Sequence, residues 1–261
     1  MKHLYTFDLP VPYKNLTLYP ITMKDYYLFS ALVDCLMLER ALDPKPRVAL
    51  AMSRLDYLLY SSKVVATEHG KSFSGDSNVA KFVGLIALVT KNTSDDFAMS
   101  FGRNAQGKTV FIINGTEYDN SDYEKLREII TEQNNVSLPN ENIQRNVRDK
   151  MEESRRYKDK MRGNKIGSLE DQIVALSLYS GIPLESIYSM TVRKFILAIN
   201  RATHMIYQDA YLTASLSGMV EFKDKSVIKS WLAEIEDNHD SDITMDVDDI
   251  QDKVSGSAVG R

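Results

Sequence analysis

With 261 residues, 43% hydrophobic and 26% charged, the chain is long enough to bury a sizeable core and has the balance of a globular protein, which excludes fibrous and wholly disordered classes. A single cysteine, Cys35, excludes an internal disulfide framework, and no apolar run approaches the roughly 20 residues that span a bilayer. The net charge of -4 hides two opposite blocks: residues 145–165 carry nine Lys/Arg against four Asp/Glu, and residues 236–252 carry eight Asp/Glu and no Lys/Arg.

The opening MKHLYTFDLP has neither the apolar core nor the cleavage site of a signal peptide, so the expected location is the cytoplasm. HLYTFDL and NLTLYPI, split by Pro10-Val11-Pro12, predict extended strands over 3–21. Thr22 with Asp25, followed by Leu28, Leu32, Cys35 and Leu36 at spacings of three and four, predicts a helix from Met23 to Ala41. Cys35 falls on its apolar side and reads as a buried hydrophobe. A second helix is predicted from Arg47 to Tyr60, then a polar loop, TEHGKSFSGDSN, then an almost wholly apolar helix from Asn78 to Thr90.

FAMSF and TVFII then switch to strand character, and Asn114-Gly115 is a hairpin signal before TEY. A three-stranded meander over 97–118 is expected. Beyond it the chain reads as helical. Ser121 and Glu124 make a capping box; Pro139-Asn140 opens a helix to Arg162; Ser168 to Ser180 ends at Gly181 and Pro183. A short helix, LESIYSM, a long one over 191–216 and a last one, SVIKSWLAEIE, follow. The acidic end reads as a disordered tail.

One stretch, GRNAQGKT (Gly102 to Thr109), fits the phosphate-loop pattern G-x-x-x-x-G-K-[ST]. That loop works by opening a helix whose N-terminus meets the phosphates. Here a β-branched run follows Lys108, so the expectation is a hairpin loop with Lys108 in solvent and no bound nucleotide. The four histidines, His3, His69, His204 and His239, form no zinc pattern. The windows DNHDSD and DVDD lack the glycine and glutamate of a calcium loop. No nucleophile–base pair emerges at any useful spacing, so no catalytic, cofactor or metal residue is assigned. The basic segment offers a partner-binding face, Arg155, Arg156, Lys158, Lys160 and Arg162. Part of its charge is paired along the helix (Glu152 with Arg156, Arg155 with Asp159) and one aromatic, Tyr157, interleaves, which suits an acidic protein partner better than nucleic acid.

Three segments together, YKNLTLYPITMKDYYLFS (Tyr13 to Ser30), INGTEYDNSDYEKLREIITEQNNV (Ile113 to Val136) and the run from SLEDQIVALSLYSGIPLESIYSM to SGMVEFKDKSVIKSW (Ser168 to Trp231), resemble tail or baseplate assembly chaperones of tailed bacteriophages, especially phages of Gram-positive hosts. The resemblance covers most of residues 10–232 in texture and order. It implies a non-enzymatic role in the host cytoplasm: binding a tape-measure or baseplate-hub protein during virion assembly. Two alternatives stay open. One is a structural tail or baseplate protein that remains in the virion. The other is a regulatory or nucleic-acid-binding protein acting through 145–165.

The expected architecture is therefore a mainly α-helical α+β fold. An N-terminal α+β domain spans 1–118, with a small antiparallel meander packed by helices. A helical domain spans 119–236, and the disordered acidic tail spans 237–261.

Overall fold

In the computed structural model, which describes residues 2–62, 64–67, 70–92, 97–139, 150, 153, 167–217 and 230, the meander anticipated from the sequence is present and organises its surroundings. Strands β5 (Met99–Arg103), β6 (Thr109–Ile113) and β7 (Thr116–Tyr118) pair antiparallel in the order β5-β6-β7. Asn114 and Gly115 join β6 to β7 with φ of 47° and 81°, the paired left-handed turn that matches strand twist. Two further sheets are simple hairpins: β1 (Val11–Tyr13) with β2 (Leu16–Leu18), and β3 (Val64–Thr67) with β4 (Gly70–Phe73). The described residues thus have the mainly helical α+β architecture expected.

By internal contact the chain divides into two units, residues 1–145 with 167–199, and residues 146–166 with 200–261. In the first unit the core is where helices meet the meander. Helix α5 (Asn78–Thr90) buries Phe82, Leu85, Ile86 and Val89 fully. Helix α6 (Asn120–Gln133) buries Leu126, Ile129 and Ile130, and β6 contributes Phe111 and Ile113. The Phe82 ring meets Phe111 edge-on at 5.5 Å and Tyr123 at 5.2 Å, and Phe111 stacks on Tyr118 at 5.1 Å. These are the offset and T-shaped geometries that the ring quadrupole favours.

The N-terminal hairpin is tied to α6 by polar side chains. Gln133 donates to the carbonyls of Leu9 and Leu18, and Asn134 accepts from the Ile21 N–H at 2.9 Å. At the other end of α6, Tyr13 donates to Asp122 at 2.8 Å and Lys14 reaches the same carboxylate at 2.5 Å. The Tyr118 hydroxyl donates to Asn15.

Helices α7 (Leu169–Ser180), α8 (Leu184–Ser189) and α9 (Val192–Leu216) follow, close to their predicted bounds. Ser168 and Asp171 form a capping box for α7, and Gly181 ends it at φ 71°. The start of α9 is pinned by the Met23 N–H to the Met190 carbonyl (2.9 Å) and the Val192 N–H to the Ile21 carbonyl (2.8 Å). The second unit's described residues continue α9 from Asn200 to Leu216, with Tyr207 stacked on Tyr211.

Several predicted elements differ, each for a physical reason. HLYTFDL is not a strand: Lys2–Thr6 is a helical turn, α1. It closes with the Leu9 N–H on the Leu4 carbonyl and Asp8 at φ 55°, a left-handed stop that aspartate tolerates. The helix over Met23–Ala41 is broken into a 3-10 turn at Met23–Asp25, α2 (Tyr26–Val33) and a 3-10 turn at Asp34–Leu36. There the Leu36 carbonyl accepts from the Arg127 Nε at 2.7 Å, a partner 91 residues away that replaces the next helical N–H. The helix over Arg47–Tyr60 is two, α3 (Pro46–Ala51) and α4 (Arg54–Tyr60), because Ser53 caps the second through the Asp56 N–H. The polar stretch after it is not all loop: it supplies β4, which pairs with β3 just before it in a hairpin whose register sets Val64 opposite Phe73. The α6 cap is Asp119 with Asp122, two residues before the Ser121–Glu124 pair expected. Of the helix at 139–162 only Pro139, Lys150 and Glu153 are described, the last two helical, and of the helix at 226–236 only Ser230, which is not in a helix; the remainder and the acidic tail lie outside the described residues.

Candidate functional site

A cavity of about 1090 Å³ lies in the first unit between α4 and the meander. Met52, Leu59, Tyr60, Phe73 and Phe101 give it apolar walls, and Asp56, Arg103, Lys108 and Asp119 its charge. The GRNAQGKT stretch forms one rim.

Its conformation explains why the letters do not make a phosphate cradle. Gly102 sits within β5, and Gly107, at φ 76°, is the residue that turns the chain. Asn104 consumes the loop amides: its side-chain oxygen accepts from the N–H groups of Gln106 and Lys108, both at 3.0 Å, and its carbonyl accepts from Gly107 at 2.9 Å. Lys108 is exposed, and β6 rather than a helix begins at Thr109. Phosphate loops depend on those amides and on the helix terminus. Titration of ATP or GTP into the protein, followed by calorimetry, should therefore give no saturable heat, and Lys108→Ala should leave that baseline unchanged.

The two carboxylates of the cleft are also committed. Asp56 accepts from the Ser53 hydroxyl at 2.6 Å and from Thr109, while Asp119 accepts from the N–H groups of Ser121 and Asp122. Burial pushes the Asp56 carboxyl up, but hydrogen bonds from Ser53 and Thr109 outweigh it and hold the carboxyl below its ordinary range. Such a group is a poor proton acceptor near neutrality. Thr109 to Asp56 also clips the sheet to α4, which fixes the width of the cleft.

Elsewhere the sequence expectations fall as follows. Cys35 is fully buried, and desolvation pushes its thiol up to about 12, which makes it a core atom. His204 lies in mid-helix in α9. No group of three or more His, Cys, Asp or Glu side chains could hold a metal among the described residues. The proposed contact residues Arg155, Arg156, Lys158, Lys160 and Arg162 lie outside the described residues. No described helix is long and apolar enough to cross a membrane.

Sequence reasoning missed a surface in the C-terminal helices. α7 buries Ile173 and Leu176, yet it also carries Val174 and Tyr179 outward and leaves Leu178 82% exposed. Val174 and Leu178 are four apart, so they stand on one stripe of the helix. The signal was readable in LEDQIVALSLYS, whose apolar residues go almost all the way round instead of forming one face. In the second unit, Ile206, Tyr207, Leu212 and Leu216 are also exposed on α9.

Comparison with known proteins bears on this same segment. No curated protein and no solved structure matches the chain. Residues 160–236 match the family model described as the YomV second domain, a phage-derived Bacillus family. That segment, which contains α7, α8 and α9, is where the chain is similar to a phage-related family.

Proposed function

We propose that the protein is a non-enzymatic adaptor of phage tail assembly that acts in the host cytoplasm and binds a tape-measure or baseplate-hub protein. The observation that carries this reading is that the phage-related segment is also the one with an outward apolar stripe on α7. A helix that is apolar on both faces normally buries both. Here Val174, Leu178 and Tyr179 face solvent. The spacing of four between Val174 and Leu178 suits the seam of a second helix, with Tyr179 at its flank, so the expected contact is an amphipathic helix of the partner.

The test is co-expression with phage tape-measure and baseplate-hub proteins, followed by affinity capture. Wild type should retain one of them. Leu178→Glu should lower that affinity by about tenfold or more, since it puts a charge into an apolar seam, while the circular dichroism of the free protein stays the same. Failure of wild type to capture either would overturn the reading. Mass spectrometry of purified virions separates the adaptor from a structural component: an adaptor should be scarce or absent there.

A further inference from the structure

The outer edge of β5 offers a second surface, independent of the α7 stripe. In the β5–β6 ladder the Asn114 N–H donates to Ala98 and the Asn104 N–H donates to Lys108. With the register Met99↔Ile113 to Arg103↔Thr109, the even-numbered residues of β5 exchange hydrogen bonds with β6. Alternation then points the N–H and C=O groups of Met99, Phe101 and Arg103 away from β6. No described strand pairs with that side, since β5 is the edge of its sheet.

Edge strands are usually blunted by proline, lysine or a bulge. β5, MSFGR, has none of these, and its residues are half-buried or exposed, with Gly102 open to solvent. The same residues line the cleft: Phe101, Gly102 and Arg103 on one wall, Met52, Leu59 and Tyr60 on the other. At one end stand Arg103 and Lys108, neither within ion-pair distance of a carboxylate among the described residues, although Arg103 is near enough to Asp56 to help hold that carboxyl low. An unpaired backbone edge, an apolar recess beside it and two exposed cations at its end are the parts of a strand-addition site.

We infer that the β5 edge and its cleft bind an extended segment of another protein, one that alternates apolar and polar residues and carries a carboxylate at the end beside Arg103 and Lys108. Backbone bonds to Met99, Phe101 and Arg103 would supply the pairing. An apolar side chain in the recess would supply register, and the two cations would fix direction.

The probe is a displayed random dodecapeptide library panned on the full-length protein. Selected peptides should alternate apolar and polar residues with Asp or Glu at one end. For synthesised winners, anisotropy titrations should show about tenfold weaker binding to Met99→Pro, which removes one outward N–H at the start of the strand where proline is tolerated. A similar loss is expected in the double variant Arg103→Glu with Lys108→Glu. If Met99→Pro fails to fold, the charge-reversed variant alone decides, because both of its positions are exposed. Bound peptide should also protect the amides of Met99, Phe101 and Arg103 from hydrogen exchange. Failure to enrich any peptide, affinities unchanged in the charge-reversed variant, or protection confined to other elements would overturn the inference. So would a dimer in sedimentation that Met99→Pro dissociates, because that assigns the edge to a second copy of the chain.

Discussion

Phe82→Ala should cost the first unit about 3–5 kcal/mol, the range for emptying a buried aromatic site, and urea denaturation should show it as a large fall in midpoint. Phe82 is fully buried at the place where α5, β6 and α6 converge, with ring neighbours Phe111 and Tyr123 at 5.5 and 5.2 Å. Its removal opens a void among residues that cannot collapse independently, since Phe111 is held in a strand ladder and Tyr123 in a helix. A natural domain has only about 5–15 kcal/mol in hand, so the variant should sit near the edge of unfolding. Phe82→Leu, which keeps most of the volume, should recover a good part of the loss. A Phe82→Ala cost below about 1 kcal/mol would mean that this aromatic junction does not hold α6 and β6 together. The cleft should widen in the same variant, because α4 is clipped through Asp56 to Thr109 on β6, and β6 is packed on Phe82.

What the sequence disclosed follows the range of the interactions involved. The meander was legible because its signals are local: β-branched runs and one Asn-Gly pair. Helices α7 and α9 were legible for the same reason, through the stop at Gly181 and Pro183 and long periodicity. The break after α2 was not. It depends on Arg127 reaching the Leu36 carbonyl from far along the chain, and no local pattern encodes that. α1 was missed because its stop is an aspartate in a left-handed turn, chemistry more often supplied by glycine. The candidate site divides in the same way. That GRNAQGKT is a hairpin could be read from the residues after Lys108. The role of Asn104 in taking up the loop amides could not, nor could the open cleft between α4 and β5, because it exists only once α4, β4 and the meander are placed side by side. The apolar exterior of α7 was present in its composition, but composition alone does not say which face the fold covers.

The second large effect is expected at Asp122, which is 8% exposed and ties the N-terminus of α6 to the β1–β2 hairpin. Its carboxylate accepts from the Asp119 N–H at 2.8 Å, closing the α6 capping box, from the Tyr13 hydroxyl at 2.8 Å and from the Lys14 ammonium at 2.5 Å. Asp122→Ala removes the acceptor for all three. A lost cap costs about 1 kcal/mol, and the hydroxyl and ammonium bonds add about 1–2 more once solvent screening of the half-exposed lysine is allowed for. The expected total is about 2–3 kcal/mol in denaturant titration near pH 7. The pH dependence separates this from simple packing loss. Burial pushes the Asp122 carboxyl up, but the bonds from Lys14, Asp119 and Tyr13 outweigh it, so the folded pKa lies below the ordinary aspartate value. A carboxylate with a depressed folded pKa contributes stability above its unfolded pKa, about 3.9, and loses it as pH falls through the folded value. The gap between wild type and Asp122→Asn should therefore be constant from neutral pH down to about 5 and narrow below about 4. A gap that stays the same width into strong acid would mean that the loss is packing at position 122 and not its charged bonds, while a gap near zero at neutral pH would mean that the hairpin is held to α6 by Gln133 and Asn134 at the far end of the helix.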